Sequence, residues 1–339
     1  MRKIFEADTA IGRISAGYRW DVPSMRLLPP HPSDLRIQAD IIISLEFSSG
    51  QSLESAISKA RKVVKFLATI SGSPITIVQA ALSLAPASSS VLELVPPPYY
   101  VPVYENVPTD REIGPIVKDG ATMARLITKW IGLGEGTEVD GRTQGARWEA
   151  RNRYHTSCLL KGQVYDEDRL VSAANLFDLL PSSATQCDFE LSPEALIAVD
   201  TARCIIKKML KEDDAYHTRS RCLSDLARVK HPTLKNRVRA RAKIVKEELV
   251  PQLNQIELIT DRAVDLRNRY VHGVDSNVNP PLGLLVVCTV TLEFVFVVSE
   301  LIEAGWDVST AREFPRVQHM VNWYPHYYEA YFNEYCDVD

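Results

Sequence analysis

The segment Pro96-Pro97-Pro98-Tyr99-Tyr100-Val101-Pro102, with Pro108 close behind it, constrains the fold more than any other stretch of this chain. Proline has no backbone N–H and its ring clashes with the preceding helical turn, so no helix runs through here and a domain boundary is expected. The patterns on its two sides differ. Before it, Ile43-Ser44-Leu45-Glu46-Phe47 alternates apolar and polar residues, the period of a half-buried strand. Ser52 caps a helix with an apolar stripe at Leu53, Ile57, Ala60, Val64 and Leu67, widened by Val63, Phe66 and Ile70 and stopped by Gly72 and Pro74. Short strands are expected at 74–84 and 90–95.

After the prolines the pattern is helical almost to the end. Helices are expected at about 121–131, 144–160, 166–180, 192–211, 219–229, 233–249, 252–270 and 282–304. Ser192-Pro193-Glu194 is a strong start signal, combining a capping hydroxyl, a proline in the first turn and an acid near the positive helix end. Gly132, Gly134, Gly136, Gly141 and Gly145 match neither phosphate-loop spacing, so they read as a flexible connector. At 339 residues the chain exceeds the usual size of one core. The expectation is an α+β protein: a small β-containing domain over 1–108, then a large, mainly α-helical bundle over 109–339.

A hydrophobic content of 45% with 24% charged residues belongs to a folded globular chain. The net charge of −4 means that any nucleic-acid contact must be carried by a local patch. The six cysteines are scattered, with no CxxC pair and no zinc-ligand spacing, so they read as reduced packing residues and no metal site is expected. The apolar run 282–298 is interrupted by Thr289, Thr291 and Glu293 and reads as a buried core helix, not a membrane span. Residues 1–20 lack the apolar core of a secretory signal, and a cytoplasmic location is expected.

The chemistry-bearing feature is Arg267-Asn268-Arg269-Tyr270-Val271-His272-Gly273. Arginine can neutralise a phosphate, and histidine can exchange a proton near neutral pH, a pairing suited to phosphodiester cleavage without a metal. The preceding helix has an apolar stripe at Ile256, Ile259, Ala263, Leu266 and Tyr270. At about 100° per residue, Asn268 and His272 share the opposite face, whereas Arg267 lies roughly 140° around from His272. Either Gly273 ends the helix and lets His272 swing, or two copies of the motif meet in a symmetric dimer. A structural reading competes, because Arg, Asn and His also cap helix carbonyls at a negative helix end.

Other segments carry weaker signals. Arg151-Asn152-Arg153-Tyr154-His155 repeats four letters of the motif with histidine one residue sooner, and reads as coincidence or a surface patch. Arg237, Arg239 and Arg241 lie in a basic stretch that is either a solvated helix or an RNA-binding face. Arg269 could hold an RNA backbone or simply be solvated. The aromatic run 323–332 could stack bases but is expected to pack against the body or a partner subunit.

The Arg-(Asn/Asp/His)-x-x-x-His pattern late in a helix resembles the signature of the HEPN superfamily. Leu266-Arg267-Asn268-Arg269-Tyr270-Val271-His272-Gly273, followed by a long apolar helix, is most similar to its ApeA-like branch, as is Ser52-Leu53-Glu54-Ser55-Ala56 leading to Phe66-Leu67-Ala68. The resemblance implies a metal-independent endoribonuclease without a cofactor, usually dimeric and acting in anti-phage defence. His272 would be the general acid/base, Arg267 would stabilise charge on the phosphate and Asn268 would orient one of them. The attacking group would be the RNA 2′-hydroxyl. The N-terminal domain would sense a trigger or restrain the nuclease, with a protein trigger or inhibitor as a further partner. The alternative is a non-catalytic helical module that binds nucleic acid or protein.

Overall fold

The computed structural model describes residues 2–21, 38–72, 74–75, 80–83, 91–94, 119–136, 145–185, 191–210, 212–229, 231–249, 253–273, 280–312 and 320–335. The proline-rich segment and the expected boundary at 108 lie outside them. The chain groups into two compact units, residues 1–164 with 297–339, and residues 165–296. This grouping differs from a division at 108, because the helix at 120–135 packs with the first strand.

In the first unit, β1 (Arg2–Thr9), β2 (Gly12–Asp21) and β3 (Gln38–Glu46) form an antiparallel sheet in that order. Phe5, Ala7 and Ile14 alternate with exposed or half-exposed neighbours and, with Ala16, supply its buried face. The expected strand at 43–47 is the end of β3. Ser52 caps α1 (Leu53–Ser71) by accepting from the Ser55 N–H, and Gly72 ends it in the left-handed conformation. Its buried side is carried by Val63, Phe66, Ala68 and Ile70, while Leu53 and Ile57 of the expected stripe are exposed. A small antiparallel pair follows, β4 (Ala80–Ser83) with β5 (Val91–Leu94).

The helices α2 (Gly120–Glu135) and α3 (Ala146–Arg153) complete this core, together with the end of α9 (Leu282–Glu303), α10 (Ser309–Arg312) and α11 (Met320–Tyr335). Gly132 and Gly134, expected in a connector, are inside α2. A Cβ on Gly134 would lie 2.5 Å from the Trp148 ring, so the helix accepts glycine there because an indole occupies the space. Trp130 is fully buried, edge-on to Trp148 at 5.1 Å and tilted against Phe66 at 5.4 Å. The single helix expected at 144–160 changes pitch, with a π-helical turn at Tyr154–Cys158 and a 3-10 turn at Leu159–Lys161. In α11, Tyr324 and Tyr328 are buried, Tyr327 is half-buried and Trp323 is exposed.

The second unit is helical: α4 (Glu167–Leu179), α5 (Pro193–Met209), α6 (Glu212–Arg228), α7 (Leu234–Leu249), α8 (Ile256–His272) and the start of α9. Helices α4, α7 and α8 pack on one another, and α5 pairs with α6. Leu170, Leu176 and Phe177 of α4, Val238 and Val245 of α7 and Ile256, Ile259 and Leu266 of α8 are buried. Each such side chain contributes about 1.5–3 kcal/mol. A seam of ion pairs runs beside this core: Lys235–Asp265 at 2.9 Å, Lys246–Glu257 at 2.8 Å, and Arg239 with Asp261. The acids at 257, 261 and 265 are successive i,i+4 positions, which puts them on one stripe of α8. Helix α9 is long and apolar enough to cross a membrane, yet 78% of its most apolar window is buried inside the protein. Within it, Glu293 is held by two hydrogen bonds from Arg169, at 2.6 and 2.8 Å.

Candidate active site

Helix α8 delivers the motif, and its stripe of buried Ile256, Ile259, Ala263 and Leu266 fixes its rotation. Tyr270, expected to continue that stripe, is only half-buried, because the helix is already leaving the core in its last turn. Gly273 closes the helix with φ 66° and ψ 30°, and its N–H donates to the Arg269 carbonyl at 2.9 Å. His272 is therefore the last helical residue and stays on the face it shares with Asn268. The helix does not open to bring Arg267 beside it.

Arg267 points instead toward α4. Its Nη2 donates to Asn175 Oδ1 at 2.8 Å and its Nη1 to Asn268 Oδ1 at 3.0 Å. A guanidinium only donates, so both amides must present oxygen. Asn268 links the cation to the face that carries His272. Asp178, one turn beyond Asn175, has its carboxyl raised above the ordinary carboxylate range by burial, against the opposing pull of Arg237 and Arg267.

Asn268 and His272 line a pocket of about 630 Å³. Asp178 of α4, Arg228 and His231 at the α6–α7 turn, Lys235 of α7 and Asp265 of α8 line it too. Such a volume lies within the roughly 300–1,000 Å³ typical of small-ligand sites. The turn is built by the His231 N–H donating to the Arg228 carbonyl at 2.9 Å, and by Thr233 accepting from the Asn236 N–H at 3.3 Å to start α7. Sequence reasoning missed Asn175, Asp178 and His231. The available signal for His231 was its place directly before a helix start, at the edge of a basic stretch.

The predicted RNA-binding arginines separate. Arg269 is exposed on α8. Arg237 is half-buried and donates to the Leu180 carbonyl at 3.4 Å. Arg239 is engaged by both oxygens of Asp261, a partner that also raises its pKa. Arg241 is fully buried and donates to the Ala184 carbonyl at 3.1 Å, so it holds the 3-10 turn after α4 and offers nothing to RNA in this fold. Alternation every second residue spreads these side chains around α7, and the packed neighbours take most of them.

The Arg-Asn-Arg-Tyr segment at 151–154 is not a surface patch. Arg151 is 2% exposed, donates through Nε to Glu300 at 2.8 Å and through Nη1 to the Trp130 carbonyl at 2.9 Å, and lies 3.7 Å over the Trp130 ring. His155 is buried, with Nε2 3.3 Å from Thr69 Oγ1, and burial, followed by the nearby Lys65 charge, pushes its pKa down to about 4.

The family model described as Apea-like HEPN matches residues 171–310, from within α4 to within α10, including all of α8 and its motif. This part of the chain is similar to the Apea-like HEPN family. Comparison with curated proteins and with solved structures gives no match. At the level of the family, the assignment points to a ribonuclease-type activity and to a role against phage.

Proposed function

We propose that this protein is an endoribonuclease of the HEPN type that cuts RNA in anti-phage defence, acting in the cytoplasm without a metal. The observation that carries this reading is the clustering on α8: Asn268 and His272 line one pocket, and Arg267 hydrogen-bonds to Asn268 at 3.0 Å. The nucleophile is the ribose 2′-hydroxyl, which attacks the adjacent phosphorus. His272 carries a proton in this exchange, a contribution of about 10²–10⁴-fold. Arg267, whose hydrogen bonds among the described residues go to amide oxygens, keeps its charge available to the phosphate. The products are a 2′,3′-cyclic phosphate and a 5′-hydroxyl.

The test is cleavage of an RNA panel by purified protein in EDTA. Wild type is expected to cut and leave those ends, while His272→Ala loses about 10²–10⁴-fold in rate with unchanged thermal unfolding. Protein that binds RNA and never cuts it would identify a binding module instead.

A further inference from the structure

Helix α5 is 17 residues long and not one of its residues is buried. A helix of this length is marginal in water by itself, and helices in proteins owe most of their stability to packing an apolar face. Only one face of α5 has such packing. Ala195, Val199, Ala202 and Ile206 are half-buried at a 4-3-4 spacing, the seam along which α5 pairs with α6. At about 100° per residue, this seam is centred roughly 130° around the helix from Thr201.

The face around Thr201 is apolar and open. Ile197, Ile205 and Met209 are 67%, 49% and 76% exposed, and with Thr201 they occupy successive i,i+4 positions. The Thr201 hydroxyl donates to the Ile197 carbonyl at 2.7 Å, which satisfies its polar group and leaves its methyl for contact. Exposed apolar side chains scattered singly are ordinary, whereas a line of them along one helix marks an interaction surface.

This face is complementary to itself when reversed. Thr201 is its midpoint, with Ile197 and Ile205 four residues to either side and Glu194 and Lys208 seven residues to either side. Seven residues is about two turns, so both exposed charges stay within roughly 20° of the Thr201 line. In an antiparallel pair of α5 helices centred on Thr201, each Ile197 packs beside Ile205 of the other copy and each Glu194 faces the other Lys208. A parallel pair would instead set like charges against each other.

We infer that α5 is a contact surface for a second copy of this chain, paired antiparallel with its counterpart about Thr201. The same face serves both copies, so the contact closes on a two-fold axis. The apolar line supplies the burial that α5 lacks, and the opposite charges at its ends fix direction and register. The pairing rests on α5 alone and holds whether or not the protein cuts RNA.

The experiment is disulfide trapping in the full chain. Cys204 is exposed on the same helix, so Thr201→Cys is made in a Cys204→Ser background and oxidised at low protein concentration beside Cys204→Ser alone. The two-fold axis sets the two 201 side chains opposite each other, within disulfide reach. A crosslinked dimer is expected from the double variant and none from the control. Adding Ile197→Asp, a change at an exposed position, should cut crosslinking by about 10-fold or more with the unfolding temperature unchanged. Adding Glu194→Lys should also lower it, and adding Lys208→Glu to that variant should restore it. Absence of the crosslink, as in a monomer or a dimer joined elsewhere, would overturn the inference, and so would crosslinking that Ile197→Asp leaves unchanged. RNA cleavage by wild type reports on the nuclease reading separately.

Discussion

Residues 151–155 and 267–272 begin with the same four letters, Arg-Asn-Arg-Tyr, and the fold uses them for opposite purposes. In the first, the arginine is sealed between two tryptophans and a buried glutamate, and burial together with the nearby Lys65 charge keeps the histidine neutral. In the second, the arginine is held by two amides and the histidine ends a helix in the open. Two physical differences separate them. One inserted residue turns the histidine by about 100° around the helix, and a carboxylate partner cancels the charge of Arg151 where amides leave that of Arg267 in place. A motif's letters supply donors and proton carriers. Whether they act is decided by what neutralises and what covers them.

The comparison breaks most visibly at Glu300, which accepts from both Arg147, at 2.9 Å, and Arg151. Glu300→Ala strands buried Arg151 without its carboxylate and is expected to destabilise the first unit by about 3–5 kcal/mol, read by denaturant or thermal unfolding. Arg267→Ala removes two hydrogen bonds to neutral partners, and a loss of about 1–3 kcal/mol is expected in the same assay. Equal losses from Glu300→Ala and Arg267→Ala would erase the distinction.

His155 gives a pH signature. Its folded-state pKa is about 4 against an ordinary value of 6.5, so the unfolded chain binds the extra proton between those values. Stability from this group is fully present above about pH 6.5 and is lost as pH falls toward 4, by about 3 kcal/mol in all. Unfolding measured from pH 7 to 4.5 should show this slope, and His155→Gln should flatten it. Smaller effects are expected at the margins of α8. Gly273→Ala meets no neighbouring atom within 4 Å but keeps a φ of 66°, so it should cost about 1 kcal/mol of stability through strain alone. Arg239→Ala loses a half-exposed pair with Asp261 and should change stability by about 0.2–1 kcal/mol.

Helix positions were largely legible in the sequence because their ends carry explicit chemistry. Ser52, Ser192 and Gly273 each form the cap that their residue types predict. The motif's internal geometry was legible too, since fixed helical pitch already separates Arg267 from the face of Asn268 and His272. Strands β1 and β2 were not, because Ala7, Ala16 and Gly17 weaken the alternation that marks a strand. The change of pitch at Tyr154 was hidden for a different reason: nothing in the local letters distinguishes a π turn from an α turn. Arg151 and Arg241 were misread as surface residues because the groups that bury them, Glu300 and the Ala184 carbonyl, are distant in sequence. His231 was missed on the same ground, since a pocket assembled from α4, α6, α7 and α8 has no local signature.

The central claim is that only the second motif does chemistry. It is tested by measuring RNA cleavage in EDTA and thermal unfolding side by side for His272→Ala and His155→Gln. His272→Ala is expected to lose cleavage by about 10²–10⁴-fold and to unfold like wild type, whereas His155→Gln, assayed where it remains folded, is expected to cut like wild type and to differ in stability. Wild-type cleavage by His272→Ala, or lost cleavage in folded His155→Gln, would contradict it.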